Sequence, residues 1–213
     1  MGSPMRSPGG PVDILQLAEL MGLCVPDGPI GHTEMEEILR RYRGRQEEGS
    51  VSVTPVDIVQ WKPWYTITAL DERVACIERL ENKLGHYVRS RLVNVTVAAE
   101  SREITLARGT LAQLGFTENP MTKQFLGDAN RLARYGLELL PAEAGLCLRD
   151  AYQDQPLWES LWVGMDPILD SGAVPGVFRV DHGADGRWLD SSSARPRKRW
   201  FLQSEWVFAV ASK

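Results

Sequence analysis

Read for hydrophobic periodicity, the chain divides into a long stretch that repeats every three to four residues and a shorter one that alternates. In "VDILQLAELMG", Ile14, Leu17, Ala18 and Met21 stand at helical spacing, with Gly22 as a C-terminal stop. "HTEMEEILRRYRG" opens on Thr33 and Glu36, a capping box in which each side chain satisfies the other residue's unpaired backbone N–H. Met35, Ile38, Leu39 and Tyr42 form its apolar face. The Pro- and Gly-rich turn between these helices is longer than the about three or four residues of a helix-turn-helix.

The longest helical pattern is "TALDERVACIERLENKLGHYVRSRL". Thr68 and Asp71 make a second capping box, and Leu70, Val74, Ile77, Leu84 and Val88 recur in a 4–3 alternation interrupted by Glu81. Leu80 widens the stripe, and Gly85 weakens the helix by about 1 kcal/mol relative to Ala. The spacing predicts a long helix near 68–91, suited equally to an internal core position and to self-association as a coiled-coil-like pair. "LVNVTVA" then alternates and predicts a strand, whereas "SREITLARGTLAQLG" returns to helical spacing and stops at Gly115. Asn119 as N-cap and Pro120 at the first helical position predict a helix presenting Met121, Phe125, Leu132, Tyr135 and Leu139. Pro141 ends it and starts another in "PAEAGLCLRDAY".

Past Tyr152 the texture changes. Trp158 and Trp162 share a face whether their segment is helix or strand. "GVFRVDHG" reads as a strand, "ADG" as a turn and "RWLD" as a short strand. "WFLQSEWVFAVA" places Trp200, Leu202, Trp206, Phe208 and Val210 on one side of a strand. The whole predicts an α+β fold, a helical N-terminal two-thirds packed against a small, mainly antiparallel C-terminal β-sheet with one buried face. The expected organisation is a disordered tail at 1–11, a short helical segment at 12–50 and a single α+β domain at 51–213. Within that domain helices are expected near 68–91 and 101–152, and the sheet near 157–211.

Composition narrows the function classes. The chain has 213 residues, 43% hydrophobic and 24% charged, the ordinary range of a globular protein able to bury a core without metals or disulfides. A net charge of −4 argues against a surface that coats nucleic acid or anionic membrane throughout, while leaving room for a local basic patch. Cys24, Cys76 and Cys147 each sit in an apolar run and form no CxxC pair, so they read as reduced core thiols. The N-terminal "MGSPMRSPGGP" lacks the apolar centre of a secretory signal, and no run of about 18 apolar residues is present. A cytoplasmic protein without membrane attachment is therefore expected, in which the sequon Asn94-Val95-Thr96 has no meaning.

Candidate chemistry centres on "RWLDSSSARPRKRWFLQSEW". Arg195, Arg197, Lys198 and Arg199, with Trp188 nearby, have the mixture of cations and aromatics that holds a single nucleic-acid strand or another polyanion. The competing reading is a solvated loop joining two core strands, its charges protecting an edge. Seven tryptophans point to an interaction surface, with Trp61 and Trp64 in the non-helical "QWKPWYT" as its exposed members. Leu70, Val74, Ile77, Leu84 and Val88 are the candidate self-association interface. His32, His86 and His182 have no metal-ligand spacing. Asp181, His182 and Asp185 cluster in sequence, but adjacent strand residues point to opposite faces. No catalytic residue, cofactor or metal is assigned, and GxSxG, Walker A and GxGxxG motifs are absent. The expectation is a non-catalytic interaction protein, able to form a homo-oligomer through 68–92 and to meet a protein partner through its Trp- and Arg-bearing loops. Polyanion or nucleic-acid binding through 195–199 is the first alternative, and an enzyme whose site assembles from distant residues is the second.

Overall fold

A computed structural model describes residues 61–69, 73–80, 83–95 and 102–211. The tail, the helical patterns of 12–50, Cys24, His32, Leu70 and Asp71 lie outside the described residues, as do the side chains of Val74 and Cys76. Eight strands form one mixed sheet: β1 (Pro63–Ala69), β2 (Arg102–Thr110), β3 (Leu137–Glu138), β4 (Ser160–Val163), β5 (Ile168–Leu169), β6 (Pro175–Gly183), β7 (Gly186–Ser193) and β8 (Glu205–Val210). Five short helices accompany it among the described residues: α1 (Arg73–Leu80), α2 (His86–Arg89), α3 (Thr122–Phe125), α4 (Ala129–Arg134) and α5 (Glu143–Ala151). The sheet order is β1-β2-β8-β4-β6-β5, with β3 also paired to β8 and β7 to β6. Among the described strands β4 and β8 pair in parallel and the other strand pairs are antiparallel.

This overturns the expected helical two-thirds. The longest described helix is α5, at nine residues, and the described residues hold more strand than helix. Residues 102–110 were expected to be helical; they form β2, hydrogen-bonded to β1 on one side and β8 on the other. A strand buried on both faces has no clean alternation, so Ile104, Leu106, Ala107 and Leu111 mimic helical spacing. The strand expected over 92–98 begins instead as a 3-10 turn at Leu92–Asn94, where the Asn94 amide donates to Leu169 O at 2.8 Å. The single helix expected after Asn119 splits at Gly127, and Asp128 Oδ1 caps α4 by accepting from Arg131 N at 3.0 Å.

The long helix near 68–91 is also absent, and the described residues hold no coiled-coil-like helix. Thr68 is paired with Glu103 in β1 rather than capping a helix. After α1 ends at Leu80, Leu84 bridges Leu189 on β7 and Gly85 N donates to Leu189 O at 2.8 Å. A Cβ at Gly85 would stand 2.6 Å from Asp190 Oδ1, so the backbone comes this close to β7 only as glycine. The apolar stripe serves the protein's own core. Leu84 and Val88 are 3% and 0% exposed, and Ile77 packs against the same cluster.

The β6–β7 hairpin is where local pattern and structure agree. Gly183 pairs with Gly186 across a two-residue loop, Ala184 and Asp185, and Gly186 adopts φ 118°. Cross-strand partners share a face, so this register sets Trp188 with Asp181, Asp190 with Arg179, and Ser192 with Val177. Ser160 and Trp162 of β4 join them opposite Asp181 and Arg179, and Trp162 lies beside Trp206 of β8. That face continues as an aromatic core. Trp206 sits 4.8 Å from Phe125, 4.9 Å from Trp200 and 5.9 Å from Trp162. Trp61 closes the far end edge-on to Phe208, where a Cβ at Gly109 would strike its ring. The other face is covered by α5, with Gly145 pressed against Phe178. Each buried aromatic contributes about 2–3 kcal/mol by area.

Residues 194–204 carry the chain from β7, paired to β6, across to β8 over the Trp162 and Trp206 rings. They are fastened along the way to 119–123. Thr122 N donates to Lys198 O, Trp200 N to Pro120 O, and Leu202 N to Asn119 Oδ1, at 2.9, 2.9 and 3.0 Å. Asn119, read from sequence as a helix cap, fastens this crossing instead. No described helix is long and apolar enough to cross a membrane.

Candidate functional site

Where the β6–β7 hairpin meets this crossing, the aromatic face opens into a groove of about 360 Å³. Its floor is the Trp162 and Trp200 rings, 4.8 Å apart edge to face, and Tyr87 of α2 stands at the rim with 60% of its surface exposed. Tyr87 is fixed there from beneath. The buried Arg91 guanidinium donates to Tyr87 O at 2.9 Å and to Asp170 Oδ2 at 3.0 Å. The Asp170 carboxyl is held below its ordinary value by backbone N–H bonds from Val174 and Gly172, with Arg91 and Arg195 adding to the effect.

Cations enter the groove from two directions. Lys198 turns inward from the crossing: its Nζ donates to Ser192 Oγ at 2.8 Å and lies 4.2 Å from the Trp200 ring centre and 5.8 Å from that of Trp162. Arg179 of β6 also lies over the Trp162 ring, 5.0 Å from its centre. Such cation–π placements contribute about 0.5–2 kcal/mol each. Arg199 lines the mouth and donates to Asn119 O at 2.8 Å.

Two carboxylates flank Arg179. Asp181 Oδ2 accepts from its Nε at 2.6 Å, and Asp190 Oδ2 from its Nη2 at 3.3 Å. Asp181 is fully buried, with the Ser160 hydroxyl on the neighbouring strand. Burial raises its carboxyl above 3.8, against the opposing pull of Arg179 and Ser160. Asp190 is 33% exposed at the groove wall, and its Oδ1 accepts from Ser191 N at 2.7 Å.

The residues singled out from sequence are dispersed. Of the basic segment, Lys198 and Arg199 line the groove, while Arg195 and Arg197 are exposed on the outer side of the turn. Trp188 is half-buried on β7 opposite Asp181. Trp61 is 7% exposed, inside the aromatic core. Trp64 is half-buried, edge-on to Tyr152 at 5.1 Å, with Arg108 5.0 Å from its ring centre. His182 and Asp181 point to opposite faces, and His182 Nδ1 lies 2.6 Å from Gln155 O. Among the described residues no group of His, Cys, Asp and Glu is placed to hold a metal ion.

Arg179, Asp190 and Ser192 were not found from sequence. The signal was present: a two-residue hairpin loop fixes the register, and the register puts Arg179 opposite Asp190 on the face of Asp181. Two charges at i and i+2 on a strand otherwise apolar on that face mark the place where a core becomes a site. Another ionic cluster, Arg108 with Glu159 at 2.9 Å and Glu205 at 3.3 Å, ties β2 to β8 and to the start of β4. Burial works to lower the Arg108 guanidinium, but Glu205 and Glu159 outweigh it and raise it. No family model, curated protein or solved structure matches the chain.

Proposed function

We propose that this protein binds a small organic anion in the groove between the β6–β7 hairpin and the 194–204 crossing. The observation that carries this reading is Lys198. A flexible ammonium in a basic surface segment is instead turned inward, held by Ser192 Oγ and seated on Trp200, with Arg199 beside it and Tyr87 at the rim. Holding a cation in place before the ligand arrives removes part of the ordering cost of binding. A cavity of about 360 Å³ has room for a one- or two-ring ligand rather than a polymer. A nucleic-acid strand draws less support, because Trp162 and Trp200 are 4% and 3% exposed and already lie against the cations, leaving little ring face on which a base could stack.

The test is titration of the full chain with benzoate at low ionic strength, followed by tryptophan emission and by calorimetry, since Trp162 and Trp200 line the groove. Binding in the range of about 1 mM to about 1 µM is expected, weakened at least about tenfold by Lys198→Met. A folded wild type that binds no benzoate, or a Lys198→Met variant that binds as well as wild type, would overturn the reading.

A further inference from the structure

Arg179 lies in the groove between two carboxylates. Asp181 sits on its Nε side at 2.6 Å, fully buried, and cannot meet a ligand. Asp190 is different. It reaches Arg179 Nη2 only at 3.3 Å, is 33% exposed and lines the cavity. Its orientation is fixed rather than incidental, because Oδ1 accepts from Ser191 N at 2.7 Å and the Gly85 backbone closes behind it. We propose that Asp190 is a specificity-determining residue of the groove, its carboxylate occupying the Arg179 side so that it penalises a ligand carrying two negative charges more than a ligand carrying one. The inference rests on the groove being an anion site and adds how it weighs the charge of its ligand.

Among the described residues the groove's cations are Arg179 on β6 and Lys198 and Arg199 on the crossing, and each attracts a second ligand charge as it does the first; Asp190 on β7 is the partly exposed carboxylate that opposes both. A ligand charge about 7 Å from Asp190, at an effective dielectric constant of about 40, is disfavoured about tenfold. A dianion suffers that penalty twice, so the preference for a monoanion due to Asp190 is about tenfold.

The experiment compares benzoate with phenyl phosphate, close to doubly charged at pH 7.5 because its second ionisation lies near 6, on the full chain by calorimetry. Asp190→Asn retains the acceptor for Ser191 N and removes the charge; it should tighten benzoate about tenfold and phenyl phosphate about a hundredfold. That changes the ratio of the two affinities, which a merely structural role for Asp190 would not move. An Asp190→Asn protein, folded by circular dichroism, whose affinity ratio equals that of wild type overturns the proposal, and the anion site itself then stands. A folded wild type that binds neither probe removes the site and this proposal with it.

Discussion

The ion pair beneath the groove gives a quantitative test of the fold. Asp181 is fully buried and its Oδ2 lies 2.6 Å from Arg179 Nε, while the Arg179 side chain is 12% exposed. Asp181→Ala removes the shorter of the two carboxylate contacts and leaves the 3.3 Å contact to Asp190. Breaking a buried pair from one side costs about 3–5 kcal/mol, because the remaining charge keeps its desolvation penalty. Arg179 still touches solvent through the groove, which puts the expected loss at the lower end, about 3 kcal/mol. With a urea m-value of about 2 kcal/mol/M, the unfolding midpoint should fall by about 1.5 M. The decisive measurement is a double-mutant cycle. In the cycle of Arg179→Met, Asp181→Leu and the two together, the double variant removes both charges and fills the volume with apolar groups, so it should cost less than the sum of the two single variants, a coupling of at least about 1 kcal/mol. If Asp181→Ala costs under about 1 kcal/mol, or the losses simply add in the double variant, the assignment of a coupled buried pair is wrong.

The same carboxylate gives a pH signature. Its folded value is raised above the unfolded 3.8, so over the intervening window the folded chain holds a proton that the unfolded chain has released. Asp181's contribution is therefore fully present below 3.8 and lost as pH rises through the folded value; Asp181→Asn should flatten that slope in urea titrations across acidic pH, and an unchanged slope contradicts the assignment. Arg149 is 0% exposed and donates to Gln155 Oε1, Asp181 O and Tyr152 O, while burial and the nearby Arg187 lower it to about 10. Arg149→Ala strands three buried acceptors and should cost at least about 3 kcal/mol in urea unfolding, and a near-neutral effect would refute the hub. Leu84→Glu places a charge where a leucine is 3% exposed, so it should lower stability by more than about 3 kcal/mol in urea unfolding; a variant as stable as wild type would refute the buried placement of Leu84. Gly164→Ala would drive a methyl group into the Phe208 ring and should cost at least about 1–3 kcal/mol, which thermal melting would detect.

Local pattern was sufficient where the answer depended on neighbours in sequence. The strand over 176–183 and the Ala184-Asp185-Gly186 turn follow from residue type and turn chemistry, and the structure contains both; the helix read as starting at Pro141 begins two residues later, at Glu143. The buried fate of Trp206 and Phe208 was equally readable from their shared parity. Tertiary structure decided whatever depended on partners far along the chain. β2 is a strand because β1 and β8 lie on either side of it, although its own apolar spacing favours a helix. Residues 68–91 are broken because Leu84 and Gly85 are claimed by β7, about a hundred residues later. Lys198 joins Arg179 and Asp190 only because the crossing is fastened to 119–123 and folded over Trp162, and that convergence of separate segments makes the groove. Periodicity records which side chains leave water, since burial acts residue by residue; it does not record which segment covers them, and the site lies in that covering.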